Sequence, residues 1–274
     1  MTGGPAPIGR VTRGTTGTNR LRRVDRWIAR HPALRRSEDP IVVDLGYGAR
    51  GWTALELWSR VARVRPDAEV VGLEIDPARV ETARAELARV RSGETSFATD
   101  ARVRFDRGGF EVPLAAGRRP VVIRAMNVLR QYDETDVAGA WERMAARLQA
   151  GGVLVEGTCD ERGRIASWIA VDDSAVPRTL TVSLRLAGLE RPGVVAERLP
   201  KALIHRNVPG ERVHDVLRAL DDEWDRAAAL APFGPVQRWE GALRALRARG
   251  VDVRDRGRWR LGEMTVPWAA VAPR

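Results

Sequence analysis

The sequence has very little of the residues that form disulfides and most metal sites. It contains one cysteine, Cys159, and three histidines among 274 residues. A single cysteine excludes an internal disulfide and is typical of a reducing compartment, so we expect a cytoplasmic location. One cysteine and three separated histidines provide no metal-ligand spacing, and no metal is predicted.

Long hydrophobic runs are also absent. The longest apolar runs have the length of a strand, such as those that begin at Ile41 and Val153. A membrane-spanning helix needs about 20 apolar residues. The first residues also lack the apolar segment of a secretory signal. We therefore expect neither a membrane partner nor export.

Lysine is almost missing, so the positive charge is carried by arginine. The formal net charge is +10, yet Lys201 is the only lysine. Residues 1–36 hold nine arginines, from Arg10 to Arg36, and one acid, Asp25, which leaves the rest of the chain nearly neutral. A basic arm of this kind is typical of phosphate binding. It keeps nucleic acid open as a partner of the arm.

From residue 41 onward, short β-branched runs alternate with helical periods. This alternation predicts βαβ units and a mainly parallel sheet. The predicted strands are 41–45, 70–74, 102–106, 121–126 and 153–157, and the predicted helices are 52–64, 78–90 and 136–148. Asp76 and Pro77 have the residue types of a helix N-cap and first turn.

The last hundred residues carry weaker signals and no motif. We predict a strand at 179–186, helices at 211–229 and from Pro235, and a final strand at 259–268. A short amphipathic helix closes the N-terminal arm. The fold class predicted is α/β, with seven strands flanked by helices. Its expected parts are an arm and lid at 1–36, a core at 37–175, and at 176–274 a helical C-terminal elaboration whose strands and helices complete the sheet and shape an acceptor pocket.

The first strand ends in a glycine-rich turn that contains Asp44, Gly46, Gly48 and Gly51. Glycines at such a turn let the backbone approach a ligand that side chains would block. This pattern alone is equally compatible with a nicotinamide or flavin cofactor. Asp44 favours another ligand, because dinucleotide-binding folds usually have an apolar residue there.

The second strand ends at Glu74, followed by Ile75. A carboxylate at this position can accept hydrogen bonds from both hydroxyls of a ribose, and Ile75 can pack on a base. The two strand ends together predict a nucleoside-type ligand at a parallel-sheet switch point.

Four segments in this order resemble motifs of the class I S-adenosylmethionine-dependent methyltransferases. VVDLGYGARG and VVGLEIDPARVETAR resemble the first two, and RAMNVLRQYDE and LQAGGVLVEGTCDE resemble the fourth-strand and fifth-strand segments. The resemblance covers roughly residues 40–160. It implies a Rossmann-like sheet, S-adenosylmethionine as the cofactor and S-adenosylhomocysteine as the product.

The resemblance also implies site residues. Asp44 would order the turn, Gly46 and Gly48 would face the methionine part, and Glu74 would hold the ribose. Phe110 would contact adenine, but Gly109 stands where the family often has Asp or Asn, so only backbone groups or Asp106 remain for the adenine amino group. The remaining positions implied for the cofactor are Gly51, Ile75, Met126 and Asn127.

The acceptor is not identified by these motifs. Arg130 and Gln131 replace two histidines that often face the acceptor, and Arg13 or Arg20 of the lid could pair with a carboxylate. No catalytic side chain is predicted, because in-line positioning and exclusion of water can suffice for a reactive sulfonium.

The leading hypothesis is methyl transfer to a small molecule, and three others remain open. One is an RNA methyltransferase that uses the Arg10–Arg36 arm. The second is a non-catalytic binder of S-adenosylmethionine, and the third is an NAD-linked oxidoreductase. Cys159 lies where RNA 5-methylcytosine methyltransferases have their nucleophile, but these enzymes use two cysteines. We interpret Cys159 as a small buried core residue.

Overall fold

The computed structural model describes residues 6–14 and 17–274. Residues 1–5, 15 and 16 of the predicted arm lie outside the described residues. Within the described part, no helix combines the length and the apolar character required to cross a membrane.

The described residues form nine α-helices and eight strands, joined by turns and short 3-10 segments. The helices are α1 (Arg22–Ile28), α2 (Pro32–Arg36), α3 (Trp52–Val61), α4 (Pro77–Arg91), α5 (Asp136–Ala145), α6 (Lys201–Ile204), α7 (Arg212–Arg226), α8 (Pro235–Ala248) and α9 (Arg256–Trp259). The strands are β1 (Ile41–Leu45), β2 (Glu69–Glu74), β3 (Val103–Arg107), β4 (Val122–Met126), β5 (Val153–Cys159), β6 (Ile165–Asp172), β7 (Pro177–Leu184) and β8 (Glu263–Pro267).

All eight strands form one sheet in the order β3-β2-β1-β4-β5-β6-β7-β8. The first five pair in parallel, and β6, β7 and β8 pair antiparallel along the edge beyond β5. The order reverses direction between β1 and β4, which places a switch point at their carboxyl ends. The α/β fold class with a mostly parallel sheet is confirmed.

The predicted strand count of seven is wrong because β6 was missed. Its residues are buried on both faces in the middle of the strand, so the sequence lacks an alternating polar signal. A tight turn joins it to β5, in which the Asp160 carboxylate accepts hydrogen bonds from the Arg164 and Ile165 amides. For these two reasons the sequence pattern does not predict a separate strand after β5.

The end of the chain also differs from the prediction. Instead of a strand over 259–268, α9 ends at Trp259 and β8 begins at Glu263. Gly262 has a φ of +78°, and its missing side chain leaves room for the Leu184 carbonyl. This left-handed residue separates the helix from the strand.

Two hydrophobic clusters cover the two faces of the sheet. One contains core residues of α5, α7 and α8, and the other contains core residues of α1, α2, α3 and α4. As predicted, α4 begins at Pro77 and is capped by Asp76, whose carboxylate accepts from the Ala78 amide at 2.9 Å. Residues 176–274 supply β7 and β8 together with four helices.

Candidate functional site

A cavity of about 420 Å³ opens at the carboxyl ends of β1 and β4, at the switch point of the sheet. This volume is within the usual range for small-molecule sites. It is lined by Thr12, Arg13, Gly14, Arg20, Leu21, Asp44, Gly46, Tyr47, Gly48, Thr53, Met126, Asn127, Arg130, Gln131, Glu161 and Arg198. Nine of the sequence-predicted residues meet here: Arg13, Arg20, Asp44, Gly46, Gly48, Met126, Asn127, Arg130 and Gln131.

The glycine turn after β1 requires glycine for conformational and steric reasons. Gly46 and Gly48 have φ values of +69° and +90°, a region that side chains rarely adopt. A Cβ on Gly46 would also lie 2.9 Å from the Val128 side chain. The turn thus presents bare backbone to the cavity.

Asp44 belongs to a buried charge network beneath this turn. Its carboxylate accepts from the Arg124 guanidinium, with Nε at 3.0 Å, and from the Thr53 hydroxyl at 2.8 Å. Arg124 also pairs with Asp25 of α1, which in turn accepts from Arg60 at 2.9 Å. Burial raises the pKa of Asp25 to about 6, while Arg124 and Arg60 oppose this shift. The network ties α1 to the floor of the cavity.

Glu74 lies at the end of β2, 1% exposed. Its Oε2 accepts from the Gly48 amide at 3.1 Å and its Oε1 accepts from the Ile75 amide at 2.9 Å. The Arg79 guanidinium approaches Oε2 at 3.5 Å. The glycine turn and the carboxylate of the neighbouring strand are therefore in direct contact.

Gly51 lines neither the cavity at the switch point nor the smaller space beside Glu74. Its amide donates to Glu86 of α4 at 2.9 Å, and an added Cβ would lie 2.4 Å from the Phe105 ring. Gly51 therefore allows α3 to pack closely on the sheet.

Asn127, after β4, has a left-handed backbone with a φ of +61°. Its side-chain oxygen accepts from the Cys159 amide at 3.0 Å, and its Nδ2 lies 3.3 Å from the Cys159 Sγ. Cys159 is buried, and burial raises the pKa of its thiol. Cys159 thus holds Asn127 at the cavity wall, in keeping with a core role rather than a nucleophilic one.

Tyr47 is a site residue that the sequence did not single out. It lines the cavity and is 3% exposed, yet its hydroxyl has no hydrogen-bond partner among the described residues. Burial, with Glu74 and Asp44 nearby, raises the pKa of this phenol, so the hydroxyl stays protonated. The ring packs edge-on against Phe105, with 5.1 Å between the ring centres, and this contact holds the glycine turn on the sheet.

Four arginines from separate parts of the chain line the same cavity: Arg13, Arg20, Arg130 and Arg198. The positive charges of Arg198 and Arg13 help to lower the pKa of Arg130, after burial as the main cause. The Arg20 Nε donates to the Asp160 carbonyl at 3.0 Å. This side of the cavity therefore has a positive potential.

The other half of the cleft contains Glu74, Ile75 and Phe110, and it is nearly closed. The free volume there is about 10 Å³, roughly enough for one water molecule. Residues 8–14, which we call the strap, fill the remainder. The Ile8 carbonyl accepts from the Phe110 amide at 2.9 Å, and the Ile8 amide donates to Glu111 at 2.8 Å.

The sequence analysis left Asp106 and backbone groups as the two candidates to bind the adenine amino group. The structure instead places its carboxylate next to Arg104 and Arg84, at 3.0 and 3.5 Å. Glu111 is the acid that binds the backbone beside Phe110, since it accepts from the Gly109 amide at 2.8 Å as well as from the Ile8 amide. It follows Phe110 directly, but no motif in the sequence marked it.

The described part of the basic arm packs on the protein body. Arg22 donates to the Arg162 carbonyl at 3.0 Å. Arg23 donates to Ser183 and to the Leu261 carbonyl, both at 3.0 Å, and burial lowers its pKa to about 10. These contacts bind the arm to the edge of the sheet, and the hypothesis of a nucleic-acid partner gains no support from them.

Comparisons with known proteins found one related sequence of assigned function. The chain is 29% identical over 203 residues to the trans-aconitate 2-methyltransferase of Methylobacterium radiotolerans, an alignment that spans 70% of this chain and 69% of that protein. No family model matches the chain.

Solved structures of lower similarity were also found. An O-methyltransferase family protein from Burkholderia thailandensis is 17% identical, with a TM-score of 0.36 over 50% of this chain and 37% of that one. Magnesium protoporphyrin IX methyltransferase from Synechocystis, solved with S-adenosylhomocysteine, is 16% identical, with a TM-score of 0.36 over 50% and 53%. This chain thus spans between a third and about half of the length of these two proteins.

Proposed function

We propose that this chain, a class I S-adenosylmethionine-dependent methyltransferase, methylates a carboxylate of a small anionic acceptor. S-adenosylmethionine is its cofactor, and when bound it supplies an electrophilic methyl group on a sulfonium. The acceptor is a small molecule. That it is an anion is our proposal, and the acid named for the related trans-aconitate 2-methyltransferase supports it.

The cofactor-binding site that we propose is formed by the residues that meet at the glycine turn. Gly46 and Gly48 would present backbone rather than side chains to the methionine part, because their left-handed conformations favour glycine. Glu74 would accept from the ribose hydroxyls, and Ile75 and Phe110 would border the adenine. Met126 and Asn127 would lie near the sulfonium, on the wall between the two ligands.

The observation that carries the anionic acceptor is the convergence of Arg20, Arg130 and Arg198 on one cavity. Guanidinium groups bind carboxylates through two parallel hydrogen bonds, which fix both distance and orientation. Such fixed geometry aligns an acceptor oxygen with the methyl group, and positioning of this kind contributes much of the rate in a displacement reaction.

The chemistry of the cavity wall also favours an acceptor that is already ionised. No histidine is found among the described residues that line the cavity. The Asp44 carboxylate is engaged by Arg124 and Thr53, and Glu161 is exposed at the rim. A carboxylic acid is ionised at neutral pH without help, because its ordinary pKa is near 4. Its oxygen can therefore attack without a general base.

The test measures S-adenosylhomocysteine formation with a panel of acceptors: a tricarboxylate, the corresponding monocarboxylate, a phenol and a primary amine. We expect the tricarboxylate to be methylated best. In Arg198→Ala, KM for it should rise by about tenfold or more, since a charge-assisted hydrogen bond contributes roughly 1.5–3 kcal/mol. The dissociation constant of S-adenosylhomocysteine should not change.

The matched control is Arg218→Ala, an exposed arginine on α7 that does not line the cavity. It should leave both constants unchanged. Preferential methylation of the phenol or amine, or an unchanged KM in Arg198→Ala, would refute the anionic acceptor.

A further inference from the structure

Hydrogen bonds from several surrounding segments hold the strap in the half of the cleft that contains Glu74, Ile75 and Phe110. Its Arg10 amide donates to the Tyr132 hydroxyl, and the Arg10 guanidinium lies 5.1 Å from the centre of that ring. The Thr12 carbonyl accepts from Arg79 at 2.9 Å, and the Gly14 carbonyl accepts from the Ala49 amide at 3.2 Å. The strap is thus docked in a defined position.

The strap contacts the groups that a nucleoside would need. The Phe110 amide, at the position assigned to adenine, donates to the Ile8 carbonyl. Arg79, which approaches Glu74 at 3.5 Å, also donates to Thr12. The strap and an adenosine would therefore compete for the same donor and for the surroundings of the same carboxylate.

The small free volume in this half of the cleft also indicates that the strap and a nucleoside exclude each other. Only about 10 Å³ is free beside Glu74, Ile75 and Phe110 while the strap is docked. Small-molecule sites usually have several hundred Å³. A nucleoside cannot enter this half of the cleft unless residues 8–14 leave it.

We propose that the strap is a built-in competitor of the cofactor, in which the Ile8 carbonyl occupies the hydrogen-bonding position of the adenine ring. Cofactor binding displaces the strap, so the apparent affinity is lower than the affinity of the open site by the fraction of open molecules. This inference rests on the proposed position of the cofactor between the glycine turn and Glu74. It differs from the lid expected from the sequence, because a lid closes over a bound ligand.

Gly109 provides a way to expel the strap without altering the strap. An added Cβ at Gly109 would lie 2.0 Å from the Ile8 carbonyl oxygen, and all three of its closest neighbours are atoms of Ile8. Gly109 has an ordinary backbone conformation, so alanine is not strained there. Gly109→Ala should therefore destabilise the docked strap, and the same Cβ should crowd an adenine ring at the position of the Ile8 carbonyl.

The first experiment is calorimetric titration of S-adenosylhomocysteine into the full chain, Gly109→Ala, a deletion of residues 1–13, and the deletion combined with Gly109→Ala. We expect affinity to increase about tenfold on deletion. Gly109→Ala should weaken binding more in the deleted chain than in the full chain, because only in the full chain does release of the strap offset the crowding of the adenine position. Deletion of residues 2–5 is the control and should have no effect.

The second experiment is limited trypsin cleavage of the full chain after Arg10 and Arg13. Cleavage follows the population of the released strap, and saturating S-adenosylhomocysteine should accelerate it by about tenfold. Protection of these two bonds, or an unchanged rate, would overturn the proposal in favour of a lid or an independent segment. Equal weakening of binding by Gly109→Ala with and without residues 1–13 would also contradict it.

These experiments distinguish a failure of the proposed function from a failure of the strap proposal alone. If no variant, including the deleted chain, binds S-adenosylhomocysteine, the proposed function fails and the strap proposal fails with it. If all variants bind equally well, only the strap proposal is overturned.

Discussion

The two faces of the sheet differ in whether their buried ionisable side chains have hydrogen-bond partners among the described residues. On the face that packs against α1 and α3, Asp44 and Arg124 are paired and hydrogen-bonded, with Asp25 as a second partner. On the opposite face, the Glu156 side chain of β5 is fully buried, and neither of its oxygens has a hydrogen-bond partner among the described residues.

The difference shows which buried charges support the site. Asp44 lines the cavity, and its partners fix the turn that follows β1. Glu156 faces the hydrophobic cluster of α5, where burial raises its pKa to about 8 and the Trp141 indole partly counteracts the shift. The paired network stabilises a charged floor, whereas the isolated acid remains neutral over most of the physiological range.

The largest effect is expected from breaking the paired network. Arg124→Ala leaves Asp44 and Asp25 buried without their common partner, and removal of one member of a buried pair costs about 3–5 kcal/mol of stability. Urea unfolding at neutral pH measures this loss. Arg118→Ala, in a partly exposed pair with Asp39, is the control and should cost no more than about 1 kcal/mol. Equal losses in the two variants would remove the distinction between them.

A smaller effect of opposite sign is expected on the other face. The pKa of Glu156 is raised in the folded chain, so the folded state favours its protonated form. The resulting stability is present below about pH 4.5 and is lost as the pH rises through about 8. Glu156→Gln keeps the shape without the charge. It should therefore be more stable than the parent at pH 9, by roughly 1–3 kcal/mol.

At pH 5 the two proteins should have nearly equal stability, since Glu156 is then protonated. Asp25, with its raised pKa, contributes to both proteins and cancels in the difference. Thermal or urea unfolding between pH 5 and 9 checks this. Parallel pH profiles for the two proteins would show that Glu156 has a partner after all.

The sequence predicted those parts of the site that depend on short stretches of chain. Gly46 and Gly48 lie in the turn after β1 and Glu74 is the last residue of β2, so their meeting at one sheet edge could be predicted from the pattern alone. The Rossmann-like class was confirmed, and the residue roles assigned to the cofactor stay predictions. The domain limits at 36 and 175 also stay predictions.

The features that the sequence did not show depend on distant partners or on backbone groups. Arg124 and Asp25 are 99 positions apart, and no local signal pairs them. The docked strap relies on the Ile8 carbonyl and the Phe110 amide, which every sequence has at these positions. Arg198 reaches the cavity from the segment after β7, where no motif was found. Side-chain type therefore could not reveal these contacts.

The central claim is that the glycine turn and Glu74 hold one nucleoside between them. Calorimetry with S-adenosylhomocysteine on Glu74→Ala tests it most directly, beside the exposed control Glu94→Ala and with thermal unfolding to verify folding. The account predicts that Glu74→Ala binds roughly 100-fold more weakly, since two charge-assisted hydrogen bonds to the ribose are lost, and that the control binds normally. A folded Glu74→Ala protein with the affinity of the parent would contradict it.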